Sequence, residues 1–504
     1  MTGKARGLTR RSKRGGPTPV AAAERCGPIG LGGGMDAAGL LLGAVALAPK
    51  AMSWLGREQA IALAVAVAAL LVLAGVLLYR QRRQRPPRGG PAGDDGIRRL
   101  KERLRRRLAE PAELSADAAA PGPMLGAGEV FEADLEAAAK GVLPEAGWRR
   151  GAARHLLRKR INGHSVSQAP NATANGSDVA QWRQLGALAL LDDTHDALTA
   201  YTRAAELSAD DPDLQMLLGV LQLRSGRAEA AESAFRRQLD LANGKDGGEA
   251  IRYRAGAMLG DALIAKGARE DALAAYAAAL KEVLALVERE PATPRWRRDA
   301  SVLHDRVGDV RLGDGQIDLA LASFEKSLEI AAALAQGDSA NPGLRHDLSV
   351  AHDRVGEALE LKGDLDAALK CYRSGLAVAE ALTKLGPDRL DWRWDISASL
   401  DRIGDVQAAR GKPDKALASY RKGLEMAEVL AERDPLRLEW QRDLAATCHK
   451  IGLLEAQCGR DAEAREALEQ GRTIVARLAR IARYQAQWRA DLSKFDAALR
   501  TLGP

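Results

Sequence analysis

The sequence predicts an all-α protein: an α-α superhelical solenoid of helical hairpins, preceded by one transmembrane helix and a flexible tether. Three observations carry that expectation. Gly260, Gly308, Gly356, Gly404 and Gly452 stand 48 residues apart, and a fixed period of about 20–50 residues is the mark of a repeat architecture. Alanine is abundant and only 4% of the residues are aromatic, which favours helix over sheet. Ala60 to Tyr79 reads AIALAVAVAALLVLAGVLLY, without a single charge.

At 504 residues the chain exceeds one ordinary core and calls for several units or an elongated one. Its charge is divided unevenly. Residues 1–110 carry 21 Lys and Arg against 7 Asp and Glu, whereas residues 111–504 carry 53 against 60. The basic balance of the whole therefore belongs to the N-terminal arm, and the main body gives no signal for nucleic acid. Cys26, Cys371, Cys448 and Cys458 show no C-x-x-C spacing, so neither a zinc knuckle nor a disulfide framework is indicated.

Residues 1–58 form a basic arm and a short extracytoplasmic segment. Ala37 to Ala48 is apolar and ends in an A-x-A pattern, but Pro49 follows directly and hinders signal cleavage. Residues 59–80 are the transmembrane helix, because twenty residues at about 1.5 Å each match a hydrocarbon thickness of about 30 Å. Arg80, Arg82, Arg83, Arg85 and Arg88 follow it, while the charges from Met35 to Glu58 cancel. The positive-inside rule then places the C-terminal side in the cytoplasm. Met35 is an alternative start to Met1. Residues 81–130, rich in Arg, Pro and Gly, read as a tether. Within them Ile97 to Leu108, IRRLKERLRRRL, has the composition of a helix lying on anionic lipid or of a solvated charged helix. Residues 131–178 read as a helical pair and a polar loop, the second helix basic and suited to touching a membrane or capping the repeats.

Residues 179–504 hold the repeats. Trp296, Ala300, Leu303, Val307 and Val310 follow 4-3-4-3 spacing, one face of a helix. Gly315, in the turn GDGQ, offers a left-handed helix end. Ile317, Leu321, Phe324, Leu328 and Ala331 then make a second apolar face. Each 48-residue unit is thus a hairpin. Gly308 lies inside the first helix, where glycine costs about 1 kcal/mol against alanine. Five such glycines imply a close helix crossing, and Ala320, Ala368 and Ala416 on the second helices are the expected opposing surfaces.

The pattern resembles the tetratricopeptide repeat. WRQLGALALLDDTHDALTAYTRAAELSADDP (Trp182 to Pro212) carries Leu185-Gly186, Ala197, Tyr201 and a closing proline, and LLGVLQLRSGRAEAAESAF (Leu217 to Phe235) repeats the motif. Gly186 and Gly219 are 33 residues apart, near the familiar length of about 34. The five later units are longer by about 14 residues, which implies longer helices. Trp488 to Leu502 reads as a terminal cap.

The resemblance implies hairpins stacked into a superhelix, a peptide-binding groove lined by first helices, and groove-facing residues three before and one after the motif glycine. Those are Asp305 and Asp309, Asp353 and Glu357, and Asp401 and Asp405. Acids there fit a basic protein or peptide ligand and oppose the family's clamp for acidic tails. An inter-repeat salt-bridge ladder with Arg306, Arg354 and Arg402 is the structural alternative. His304 and His352 share a column that Leu400 and Cys448 do not continue, which speaks for partly buried histidines over a metal site. No catalytic motif is present, and no cofactor is expected. The functional expectation is a bacterial, single-pass inner-membrane scaffold, not an enzyme, with its repeats in the cytoplasm. A periplasmic adaptor and a regulatory partner of a signalling system are the alternatives.

Overall fold

The computed structural model describes residues 94–109, 126–167, 176–244, 247–386, 389–434, 437–481 and 486–502. The expected basic arm and the membrane span at 60–79 lie outside these residues. Among the described residues there are eighteen helices and no strand, and none of the helices is long and apolar enough to cross a membrane.

Among the described residues three helices come first: α1 (Asp94–Ala109), α2 (Ala127–Gly141) and α3 (Arg150–Ser167). Two short hairpins follow, α4 (Gly176–Leu190) with α5 (Thr194–Leu207), and α6 (Pro212–Arg224) with α7 (Ala228–Ala242). Five long hairpins then pair α8 (Glu249–Ala265) with α9 (Arg269–Arg289), α10 (Pro294–Gly313) with α11 (Ile317–Gly337), and α12 (Pro342–Lys362) with α13 (Leu365–Leu385). They continue with α14 (Leu390–Ala409) and α15 (Pro413–Arg433), then α16 (Leu438–Gln457) and α17 (Asp461–Ile481). The closing helix α18 (Ala486–Thr501) packs on α17.

Local chemistry sets these boundaries. Gly226, Gly267, Gly315, Gly363, Gly411 and Gly459 end the first helices at φ between 65° and 90°, a left-handed conformation that a Cβ disfavours. Asp193, Asp211 and Asn341 cap the helices that follow them through backbone N–H groups. Pro212, Pro294, Pro342 and Pro413 occupy the first helical turn, where their missing N–H is no loss. The extra length of the later repeats falls on both helices. α5 and α7 have 14 and 15 residues, whereas α9, α11, α13, α15 and α17 have 21 each.

The later core is a row of small equivalent cells. Ala320, Leu321 and Phe324 of α11 bury against Val355 and Ala358 of α12. Ala368, Leu369 and Tyr372 meet Ile403 and Val406 in the next cell, and Ala416, Leu417 and Tyr420 meet Ile451 and Leu454 in the one after. Each hairpin therefore buries its apolar face on the following one, as a quasi-one-dimensional array requires. At the end, Phe495 of α18 is 3% exposed and covers α17, which is how the last hairpin is closed.

One expectation needs correcting here. The stretch 81–130 is not wholly a tether, because α1 is packed against the body. Leu104 is fully buried, with Ile97, Leu100 and Leu108 beside it. Lys101 pairs with Glu136 at 2.6 Å and Arg105 with Glu132 at 2.5 Å, both on α2. Arg224 donates to the carbonyls of Arg107 and Leu108 at 2.9 Å, closing the last turn of α1. The reason is physical: residues spaced three and four apart make an apolar stripe whatever the arginine content around them.

Candidate peptide-binding surface

The motif glycines sit in the middle of first helices under an aromatic ring. A Cβ on Gly356 would come within 2.6 Å of the Tyr372 ring, and one on Gly186 within 2.6 Å of Tyr201. Phe235, Tyr276, Phe324 and Tyr420 cover Gly219, Gly260, Gly308 and Gly404 in the same way, and Leu468 covers Gly452. Ala320, Ala368 and Ala416 are fully buried, but they face the next hairpin and are not what excludes a side chain at the glycine. A second crossing lies deeper along each hairpin. Ser349 donates to the carbonyl of Gly375 at 3.0 Å and Ser397 to that of Gly423 at 2.9 Å. Ser301 stands 2.8 Å from the hydroxyl of Ser327 at the corresponding place.

The six acids expected to face a ligand are half-buried. Asp309, Asp353, Asp401 and Asp405 reach cations of the next repeat, whereas Asp305 bonds Ser327 of its own hairpin and Glu357 meets Arg354 of its own helix. Arg354 reaches Asp309 at 3.3 Å and Glu357 at 3.4 Å. Arg402 reaches Asp353 at 2.7 Å, and Lys450 reaches Asp405 at 2.7 Å and Asp401 at 3.9 Å. Upstream, Arg306 meets Asp261 at 2.9 Å with both side chains under a tenth exposed. The tyrosine over each glycine ties in as well: Tyr276 donates to Asp261 and Tyr420 to Asp405, each at 2.7 Å. Each of these two acids thus holds a hydroxyl of its own hairpin and a cation of the next.

A parallel ladder runs near the start of the first helices. The residue before each column aspartate points an N–H at the aspartate of the following repeat. Arg298 reaches Asp347 at 2.5 Å, Trp394 donates to Asp443 at 3.0 Å, and Arg442 reaches Asp491 at 3.0 Å. His346 stands 3.8 Å from Asp395 at the equivalent position. These donors were not singled out from the sequence because their residue type changes. The constant 49-residue separation is the signal that finds them.

Burial raises the carboxyls of the first-helix column. Enclosure pushes Asp305 up to about 7, with a hydrogen bond from Ser327 opposing it and Asp309 adding to it. Burial likewise lifts Asp353 to about 6 against Arg402, and Asp401 to about 6 against Lys450. His304 and His352 are half-buried and pushed down by that burial, and among the described residues no cluster of three His, Cys, Asp or Glu is arranged to hold a metal ion. The sign for Asp305 is direct. Between its unfolded value of about 4 and about 7 the folded state binds the extra proton, so stability falls as pH rises through that window. Asp305→Asn is uncharged throughout and should melt with wild type at about pH 4, then about 2–4 °C above it at about pH 8. Parallel melting curves at both pH values would show that this carboxyl does not titrate in the window.

An open cleft lies elsewhere among the described residues. It has a volume of about 970 Å³ between α15 and α17, with α16 beneath it. Ala431, Leu444 and Ile474 supply apolar surface, while Glu428, Glu432, Glu466 and Glu469 supply carboxylates. Arg465 and Arg477 also line it, which leaves the wall acidic. Arg477 donates to Gln441 at 2.6 Å and Gln470 donates to Glu428 at 2.7 Å. Glu432, Glu466 and Glu469 are exposed. Sequence reasoning passed over these acids because it followed the first helices. Glu428 with Glu432, and Glu466 with Glu469, are acid pairs at helical spacing on α15 and α17, but they do not share the 48-residue register, so the repeat itself does not display them.

No family model matches the chain, and no curated protein matches it. Among solved structures, the apo form of RapI is 16% identical over 57% of this chain and 95% of its own, with a TM-score of 0.39. A tetratricopeptide repeat protein from Parabacteroides merdae is 14% identical over 60% and 97%, with a TM-score of 0.36. YrrB, described as a TPR protein with an unusual peptide-binding site, is 20% identical over 47% and 99%, with a TM-score of 0.28.

Proposed function

We propose that this protein is a non-enzymatic scaffold that binds a basic segment of another protein. In the same reading it is held at the bacterial inner membrane by residues 60–79, with the repeats in the cytoplasm. The observation that carries the ligand assignment is the cleft over α16: apolar residues at Ala431, Leu444 and Ile474, with exposed carboxylates at Glu432, Glu466 and Glu469. A segment with apolar residues flanked by Lys or Arg matches both features, and charge complementarity of this kind gives specificity and a fast encounter. Asp305, Asp309, Asp353, Glu357, Asp401 and Asp405 already face cations or hydroxyls of the solenoid. Four of those acids therefore act in the inter-hairpin tie in this reading, the other two are held within their own hairpin, and the ligand goes to the second helices.

Binding of a fluorescent Lys-Leu repeat peptide to the full chain tests this by anisotropy. Glu432→Lys with Glu466→Lys should weaken binding about tenfold or more, and Asp309→Asn should leave it unchanged. A loss on Asp309→Asn with none on the glutamate variant would move the ligand to the first helices. For the membrane reading, a reporter active only in the cytoplasm and fused after Pro504 should be active. Silence of that reporter, with activity of one that works only outside, would favour the periplasmic adaptor.

A further inference from the structure

We propose that the basic surface formed by α1 and α3 docks on anionic lipid headgroups; this rests on the reading of residues 60–79 as a membrane span. α1 carries seven Lys and Arg against three Asp and Glu, and α3 carries five Lys and Arg with no acid at all. The body neutralises only part of that charge. Glu132 and Glu136 take up Arg105 and Lys101. Asp192 alone serves three guanidiniums: Arg103 of α1 at 3.1 Å, and Arg150 and Arg154 of α3 at 2.7 and 3.4 Å. That shared carboxylate also brings the two helices to one place, at the turn between α4 and α5.

Arg158 and Arg160 have Asp196 and Glu145 as partners, but the excess of two positive charges around Asp192, beside further exposed bases, leaves a surface that attracts an outside anion. Arg98 and Arg106 are more than three-quarters exposed and reach only acids of their own helix. Arg99 and Lys159 are exposed, and neither has an acid within 4 Å among the described residues. A phosphate-bearing surface fits this chemistry, and the chain itself selects which one. The uncharged stretch Ala60 to Tyr79 ends 14 residues before α1 begins, and 14 extended residues reach at most about 50 Å. A chain anchored there keeps α1 near the headgroups, where each Lys or Arg is attracted to an anionic leaflet. Membrane contact through this face also holds the hairpins in one orientation to the bilayer.

The test uses the full chain in lipid nanodiscs, of phosphatidylcholine alone or with phosphatidylglycerol. An amine-modifying reagent reports on Lys159, with Lys281 on α9 as the internal reference. Lys159 should react about fivefold or more slowly on the anionic discs only, and high salt should abolish the difference. Charge reversal at Arg99 should reduce the protection. Equal rates on both lipids would overturn the proposal, as would protection by added RNA without protection by anionic discs. The anchor is read separately, by incorporation into either disc. If the chain incorporates into neither, the span is wrong, and the face is then read by flotation. Flotation with phosphatidylglycerol vesicles but not with phosphatidylcholine vesicles would support the face, and no flotation would overturn it.

Discussion

Gly404→Ala should destabilise the solenoid by about 2–3 kcal/mol, although alanine is the better helix former. Replacing an interior glycine by alanine ordinarily gains about 1 kcal/mol. Here the new methyl would lie inside the Tyr420 ring. The ring has no way out. It is 3% exposed, its hydroxyl is fixed on Asp405 at 2.7 Å, and Ile451 and Leu454 of the next hairpin pack in the same cell. Overpacking of this kind costs about 1–3 kcal/mol, and a clash with a fenced ring on a helix backbone belongs at the upper end. Because the array is stabilised by neighbour contacts, the damage should start at α14, α15 and α16. Amide exchange there should quicken more than in α8 and α9, and the urea midpoint should fall. The decisive control is the same change in a Tyr420→Ala background, where the methyl has room and should stabilise. If Gly404→Ala were harmless with Tyr420 in place, ring contact would not be the reason for the glycine column.

That column shows how far the sequence reaches and where it stops. Periodicity located the hairpins, the left-handed turn at Gly315 and the need for a close approach at Gly308. It did not show that Phe324, sixteen residues on, is what approaches, because helix spacing reports a face and not the side chain that fills it. The same limit governs the acids. Asp353 with Glu357, and Asp401 with Asp405, read equally well as ligand contacts or as ties. What separates the two is the placement of Arg402 and Lys450 across a hairpin boundary, and a 45- or 49-residue offset is legible only once the stacking is known. The helix at Ile97 to Leu108 was legible, but its packing on the body was hidden by composition, since arginine and nearby proline and glycine outweighed a stripe of four apolar residues. The cleft over α16 joins side chains of three helices, which no single helical pattern displays.

Arg306→Met should lose stability steeply as pH rises, and its partner variant should restore it. Arg306 and Asp261 are 2.9 Å apart and almost wholly enclosed. Burial already raises the Asp261 carboxyl, with Arg306 and the Tyr276 hydroxyl holding it down. Methionine keeps most of the buried stem but removes the cation, so the folded carboxyl rises further while the unfolded one stays at about 4. Above about pH 4 the folded state then binds a proton that the unfolded state does not, and the variant weakens as pH increases. Little should be lost at about pH 4. Near neutrality the loss should approach the about 3–5 kcal/mol typical of a stranded buried charge. Asp261→Asn in the same chain removes the charge and keeps an acceptor for Tyr276, so the double variant should recover most of the loss and its pH dependence should vanish. A double variant as weak as Arg306→Met at neutral pH would mean that the arginine acts by packing, through its contact with the Tyr276 ring at 6.0 Å. The ladder would then be a consequence of the stacking and not one of its causes.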